Sequence, residues 1–206
     1  GLKLLVVQAS GKAYSVGVEV ADHLGDLATK MIQTFHQMFR LMDALKVPSL
    51  AVVNGAALGG GCELAMACDL RIASENAKLG FPETTLGLMP GYGGTQFLPR
   101  LIGMGRAKYM VFTGEPLTAT EAYQFGLVQK VCSSETLMDE VNRLAQKITS
   151  NGPLAVKACK RAIQKGAEFP LEEALRIEME EYDRVTRSQD AEEGIISFIE
   201  KKKPTF

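Results

Sequence analysis

Residues 56–69 read AALGGGCELAMACD. Gly59, Gly60 and Gly61 stand directly ahead of an apolar run with helical character, and that run carries one glutamate, Glu63. Each glycine costs an ordered helix roughly 0.5–1 kcal/mol relative to alanine. A carboxylate is also a poor neighbour for Leu64, Ala65 and Met66. A chain that keeps both must bring the end of a strand and the start of a helix close to other backbone or to a ligand. Two readings follow from the glycines: tight helix–strand packing, or first-turn N–H groups left open to an anion or a developing oxyanion. No Gly-Lys-Ser/Thr follows, which excludes a nucleotide P-loop.

The flanking pattern places this stretch in an α/β chain. Residues 3–8 (KLLVVQ) and 49–54 (SLAVVN) read as buried strands. Between them lie an irregular segment, GKAYSVGVEVADH, and a helix over 27–45. In that helix Leu27, Met31, Ile32, Phe35, Met38, Phe39, Met42 and Leu45 recur at helical spacing. The glycines open a short helix through Cys68, and 69–74 (DLRIAS) is a third strand. Strand, helix, strand, short helix, strand implies βαβ crossovers and a mostly parallel sheet. Further on, helices are predicted at 95–102, 104–113, 118–125, 134–150, 153–165, 171–187 and 190–201, with a strand at 127–131. The reading is an α/β core over 1–132 followed by a helical region over 133–206, and Asn151-Gly152-Pro153 marks a clean break.

Composition removes several functions. Apolar residues make up 46% and charged residues 23%, the balance of a globular, soluble chain. A net charge of −1 lacks the basic surplus that nucleic acid requires. The four cysteines, Cys62, Cys68, Cys132 and Cys159, form no C-x-x-C pair and no metal-ligand spacing. They read as reduced thiols in a reducing compartment, the cytoplasm or a mitochondrial matrix, with no metal. No run approaches the ~20 apolar residues of a membrane span. The opening GLKLLVVQAS reads as a strand, not a leader, so the chain reads as a fragment or one whose earlier residues are missing.

A second carboxylate sharpens the first. Glu83 lies in LGFPETTLGLMPGYGGTQ, where Pro82 fixes the approach and another glycine-rich loop leads into a helix. Alone, Glu63 reads equally as a solvated helix-end residue, and Glu83 as a plain loop residue. As a pair in glycine-lined apolar settings, they suit shared acid–base work on one small molecule or water.

The run VNGAALGGGCELAMACDLRIAS, followed by LGFPETTLGLMPGYGGTQFLPRLIG, closely resembles the crotonase superfamily and, within it, the enoyl-CoA hydratases. The resemblance continues through TGEPLTATEAYQFGLVQKV and ends with FIEKKKPTF, so it covers essentially the whole chain. It implies a spiral of ββα turns, then a helical trimerisation region, assembling as a trimer or a dimer of trimers. It implies an acyl-CoA thioester as substrate, with coenzyme A part of that substrate and no separate cofactor, and no nucleic-acid or membrane partner. By motif position the oxyanion-hole N–H groups belong to Gly60 and Val18, flanked by Val16, Gly17 and Gly59. Glu63 and Glu83 match the two hydratase glutamates that hold one water, and Gly91 matches a glycine lining the site. Tyr182, Phe198 and Lys201 match tail positions that contact coenzyme A in some hydratases. Read alone, they are core aromatics and a solvated lysine. His23 and His36 have no link to the chemistry.

The sequence departs from the family pattern at Glu19, Val18, Phe81 and Tyr92, where aspartate, alanine, glutamine and a small residue are common. These changes reshape the acyl pocket. The stretch GVEVADH resembles hydratases of cyclic dienoyl-CoA esters. The opening segment of the family pattern, with its early strands and CoA contacts, has no counterpart. Rival readings on the same scaffold are an isomerase, which typically keeps one of the two glutamates, a thioester hydrolase, and a silent acyl-CoA-binding protein.

Overall fold

Short strands thrown alternately into two sheets build the first half of the chain. The computed structural model describes residues 1–206. In order, the strands and helices are β1 (Leu5–Gln8), β2 (Ala13–Ser15), α1 (Asp26–Asp43), β3 (Ser49–Val53), β4 (Ala56–Leu58), α2 (Gly60–Ala67), β5 (Leu70–Ser74) and β6 (Lys78–Gly80). They continue as α3 (Gly94–Ile102), α4 (Met104–Thr113), β7 (Leu117–Thr118), α5 (Ala119–Gln124), β8 (Lys130–Cys132), α6 (Leu137–Thr149), α7 (Pro153–Gly166), α8 (Leu171–Thr186) and α9 (Gln189–Ile199). Short 3₁₀ turns occupy Val20–His23 and Pro82–Leu86. One sheet has the order β1-β3-β5-β8, the other β2-β4-β6-β7. From β1 to β6 successive strands therefore alternate between the sheets, which is the expected spiral of ββα turns.

Sequence chemistry explains the central strands. All five residues of β3 are buried, so both its faces are covered and the run after Ser49 is wholly apolar. β3 pairs in parallel with β5, from Leu50 opposite Leu70 to Val53 opposite Ala73. The Asp69 carboxylate accepts the N–H and hydroxyl of Ser49 at 2.7 and 2.9 Å, which pins the entry of β3 beside that of β5. In the second sheet β4 pairs in parallel with both β2 and β6, and β7 closes it antiparallel.

Three three-residue strands escape the pattern reading, as does the two-residue β7, whose Thr118 falls within the helix predicted at 118–125. The segment read as irregular contains β2, the link read as running straight into the glycines contains β4, and β6 follows β5. Each has three residues, too few to show a period, and each forms because a distant partner completes its ladder. The strand predicted at 127–131 is shifted to Lys130–Cys132. The Leu127 and Val128 N–H groups donate to the Ala122 carbonyl, so these two residues close α5 instead.

The chain resolves into two compact units. One comprises Val6–Leu45 and Ser49–Val141; the other comprises Gly1–Leu5, Lys46–Pro48 and Asn142–Phe206. In the second unit Glu181 is buried on α8 and pairs with Arg161 of α7 at 2.9 Å and Arg184 at 3.0 Å. Lys160 donates to the Val47 carbonyl at 3.0 Å. No helix is long and apolar enough to cross a membrane.

Helix α2 is apolar on nearly every side and packs in the core of the first unit, with Cys62, Glu63 and Ala65 fully buried. Its C-terminal carbonyls are met by the buried guanidinium of Arg71 on β5. Arg71 Nη1 donates to the carbonyls of Cys68 (2.6 Å), Ala65 (3.3 Å) and Met66 (3.4 Å), and Nε donates to Leu127 (2.6 Å). A cation at a helix C-terminus also meets the negative end of the helix dipole. Arg71→Leu should lower unfolding stability by about 3 kcal/mol or more, because several buried carbonyls lose a charged donor. Arg71→Lys should recover only part of it, since an ammonium lacks the planar fork. Denaturant unfolding of the three proteins measures both effects.

Candidate functional site

The three glycines have separate tasks. Gly61 is a packing residue: a Cβ there would lie 2.0 Å from the Ser15 carbonyl oxygen, so its absence lets α2 touch β2. Gly59 caps α2 with φ of 54°, in the left-handed region, and a Cβ there would meet Glu83 Oε1 at 3.0 Å. Gly60 begins the helix, so its N–H has no acceptor within it. A Cβ on Gly60 would sit 3.1 Å from the Tyr92 ring, and one on Gly17 would sit 3.2 Å from the Gly60 nitrogen. Both sequence readings of the triplet therefore hold, at different residues.

These close approaches enclose a pocket of about 110 Å³. Val16, Gly17 and Val18 line it from the segment after β2, and Gly59 and Gly60 from the start of α2. Glu83 enters from the 3₁₀ turn after β6, and Gly91 and Tyr92 from the loop before α3. The expected oxyanion residues, the second glutamate and Gly91 thus converge.

Glu63 projects from the first turn of α2 and is fully buried, which removes the solvated helix-end reading. Its Oε1 accepts the N–H groups of Tyr92 at 2.9 Å and Gly94 at 2.6 Å, while Oε2 has no partner. The loop has room for this because a Cβ on Gly94 would lie 2.8 Å from that same Oε1. Burial pushes the Glu63 carboxyl up to about 7. The two N–H donors work against that shift, and the Glu83 charge adds to it. Glu83 is half-buried, with Oε2 also unpartnered. Burial raises it too, while its own backbone N–H and the nearby His23 pull it down.

Two residues escaped the sequence reading. His23 lines the pocket. Its place in a four-residue 3₁₀ turn leaves no periodic signal. His36 Nε2–H donates to the Gly91 carbonyl at 2.9 Å, tying α1 to the loop that carries Tyr92. Of the tail residues, Tyr182 and Phe198 are 70% and 85% exposed in the second unit, so neither is a core aromatic. Lys201 follows α9 with φ of 57°, exposed. All the pocket's lining named above belongs to the first unit.

An enoyl-CoA hydratase/isomerase family model matches residues 2–206. A crotonyl-CoA hydratase of Syntrophomonas wolfei is 43% identical over 209 residues, covering 100% of this chain and 80% of that protein. A short-chain-enoyl-CoA hydratase of Clostridium acetobutylicum is 41% identical, over 98% of this chain and 78% of its own length. The crystal structure of an enoyl-CoA hydratase from Bacillus anthracis superposes with a TM-score of 0.95 at 39% identity, covering 99% of this chain and 81% of that one.

Two stability predictions follow from this geometry. Gly61→Ala should cost about 1–3 kcal/mol, because backbone must move to admit the methyl group. Gly105→Ala, where nothing lies within 4 Å, should instead be neutral or gain roughly 0.4–1 kcal/mol. Thermal unfolding of both variants separates the two cases. Glu63 carries a raised folded-state value, so the native state binds its proton more tightly than the unfolded chain does. Its contribution to stability therefore falls as pH rises from 4.5 to about 7, then stays level. Glu63→Gln should be more stable than the parent, by a margin that opens across that window and reaches a few kcal/mol above it. Denaturant midpoints at pH 4, 6 and 8 read the margin directly.

Proposed function

The chain belongs to the enoyl-CoA hydratase/isomerase family and is a hydro-lyase of the enoyl-CoA hydratase type; from that premise we propose how its own residues add water to a 2,3-enoyl-CoA. The thioester carbonyl oxygen accepts the Gly60 and Val18 N–H groups. These donors, with the positive end of α2, oppose the charge that develops there as an enolate. One water sits between Glu63 and Glu83. Its oxygen bonds to Cβ as the C=C π pair moves toward the carbonyl, and one water proton passes to a carboxylate. The other carboxyl gives its proton to Cα as the enolate collapses. The pair holds one proton before and after, and the product is the 3-hydroxyacyl thioester.

The observation that carries this reading is the pair of buried, unpartnered carboxylate oxygens, Glu63 Oε2 and Glu83 Oε2, the first on a core helix and the second on a pocket-lining residue within electrostatic reach of it. Both carboxyls are raised by burial, which keeps a shared proton available near neutral pH. Glu63 feels the charge of Glu83, and two carboxyls that share one water and one proton titrate as a pair. Retention of both glutamates favours hydration over isomerisation. The substrate's size is supported by the 110 Å³ pocket, smaller than the ~150 Å³ cavity that takes a benzene. A short acyl group fits that space.

Assembly as a homotrimer or dimer of trimers through the C-terminal helices is part of the same proposal. It is supported by the large apolar side chains those helices expose, among them Met179, Ile195 and Ile199. Tyr182, Phe198 and Lys201 are assigned to coenzyme A contacts on that surface, where Tyr182 and Phe198 are open to a ligand or a neighbouring copy.

Loss of enoyl-thioester absorbance on mixing with crotonyl-CoA, and separately with a cyclic dienoyl-CoA, tests the reading. The parent should turn over crotonyl-CoA, and Glu63→Gln and Glu83→Gln should each fall roughly 10²–10⁴-fold. Unchanged rates in both variants would sink the two-carboxylate mechanism. No turnover of any enoyl-CoA by the parent would favour a silent acyl-CoA-binding protein.

A further inference from the structure

Tyr92 stands in the second glycine-rich loop, where the family pattern commonly has a small residue. Its side chain is 4% exposed. The ring lines the pocket, lies against Gly60, and stacks on Phe35 with centroids 4.1 Å apart and planes 21° apart. The ring is thus held on two sides, by an aromatic face and by the helix start that carries the oxyanion donor. Its backbone N–H holds Glu63 Oε1.

The hydroxyl is the unexplained part. Tyr92 Oη is buried and bonds to nothing. A buried hydroxyl without a partner is costly, and a phenol normally finds one. Of the five buried side-chain oxygens without a partner, three are Tyr92 Oη, Glu63 Oε2 and Glu83 Oε2. None of these three bonds to another, so the carboxylates and the phenol stand apart with their hydrogen-bonding capacity unused. Both carboxylates nonetheless act on the phenol electrostatically. Burial first, and then Glu63 and Glu83, push it up to about 12, so it keeps its proton and remains a donor.

We propose that Tyr92 is a third catalytic residue of the hydration reaction: its hydroxyl donates a hydrogen bond to the oxygen of the water that Glu63 and Glu83 hold. The proposal rests on the hydration reading above. Each carboxyl group accepts a hydrogen bond from the water, and the one proton the pair holds is committed to Cα. The phenol supplies a donor to the water oxygen itself, fixes one of its lone pairs, and leaves the other aimed at Cβ. As the C–O bond forms and one O–H bond breaks toward a carboxylate, the phenol remains bonded to that oxygen. It ends as a donor to the product's 3-hydroxyl group, with its own proton retained throughout. In the reverse direction the same bond assists departure of the hydroxyl group.

Tyr92→Phe tests this with the ring, the stack on Phe35 and the backbone donor to Glu63 all preserved. In the full chain, kcat for crotonyl-CoA hydration should fall roughly two- to tenfold, the scale of one neutral hydrogen bond, with KM unchanged. Exchange of the α-protons of butyryl-CoA in D₂O is the control. It draws on the oxyanion donors and a carboxylate but adds no water, so it should keep the parent's rate. A selective loss of hydration supports the proposal. Equal losses in both reactions would mean that the side chain only shapes the pocket, and overturn it. So would a variant that hydrates crotonyl-CoA at the parent's rate. A parent that exchanges α-protons but hydrates no enoyl-CoA would overturn the hydration reading itself and the role of Tyr92 with it.

Discussion

The clamp on α2 is the constraint on which the rest of the first unit depends. Arg71 grips the carbonyl end, and a methyl-free contact at Gly61 lets the amide end press onto β2. Those two contacts fix the helix at both ends. That placement sets Gly59 against Glu83, and Gly60 against Gly17 and Tyr92, with no room for a side chain between them, and brings Glu63 Oε1 within 2.9 Å of the Tyr92 nitrogen. A buried guanidinium with several carbonyl partners also joins three segments, because Arg71 on β5 reaches both the end of α2 and the turn after α5. The same residue's backbone continues that link: its N–H donates to Gln129 Oε1 and its carbonyl accepts the Gln129 N–H.

Against that rigid frame the pocket holds groups that work against folding. Glu63 is fully buried with one oxygen unpartnered, and burial raises its carboxyl toward neutrality. Two backbone N–H groups from the Tyr92–Gly94 loop recover part of what desolvation takes away. Those donors fix Oε1 and so aim Oε2. The loop is itself secured from α1 through His36 to the Gly91 carbonyl. Buried polar groups left unsatisfied in a native core call for a reason, and three of the five here belong to Glu63, Glu83 and Tyr92. The proposed hydration, with one proton shared between the two carboxyls, would supply that reason.

Much of this was legible in the chain. The glycine triplet, the apolar short helix and the two glutamates in glycine-rich settings each carry local signals that survive without a partner. The long helices were legible for the same reason, since their periodicity is written in consecutive residues. The three-residue strands β2, β4 and β6 were not, because a strand that short has no period and exists only as a rung of a ladder completed from elsewhere. The displaced β8 shows the complementary limit. Leu127 and Val128 look like strand residues, but the carbonyl of Ala122 captures their N–H groups first. His23 gives no sign of a role in the sequence because Glu83 lies far along the chain from it, yet the two come within electrostatic reach.

By itself, the sequence determined the class of fold, the positions of both carboxylates and the need for bare backbone at residues 59–61. Those properties follow from residue type and spacing along one stretch. Only the tertiary structure decided which glycine packs and which faces the pocket, because that depends on whether Ser15, Tyr92 or Glu83 stands opposite. Only the tertiary structure turned Arg71 from a charged residue in an apolar strand into the anchor of α2. Likewise it made Tyr92 a buried donor without a partner rather than an aromatic in a loop. In each case the deciding neighbour lies far away in the chain. Electrostatic and steric effects act through distance in space, which sequence order does not record.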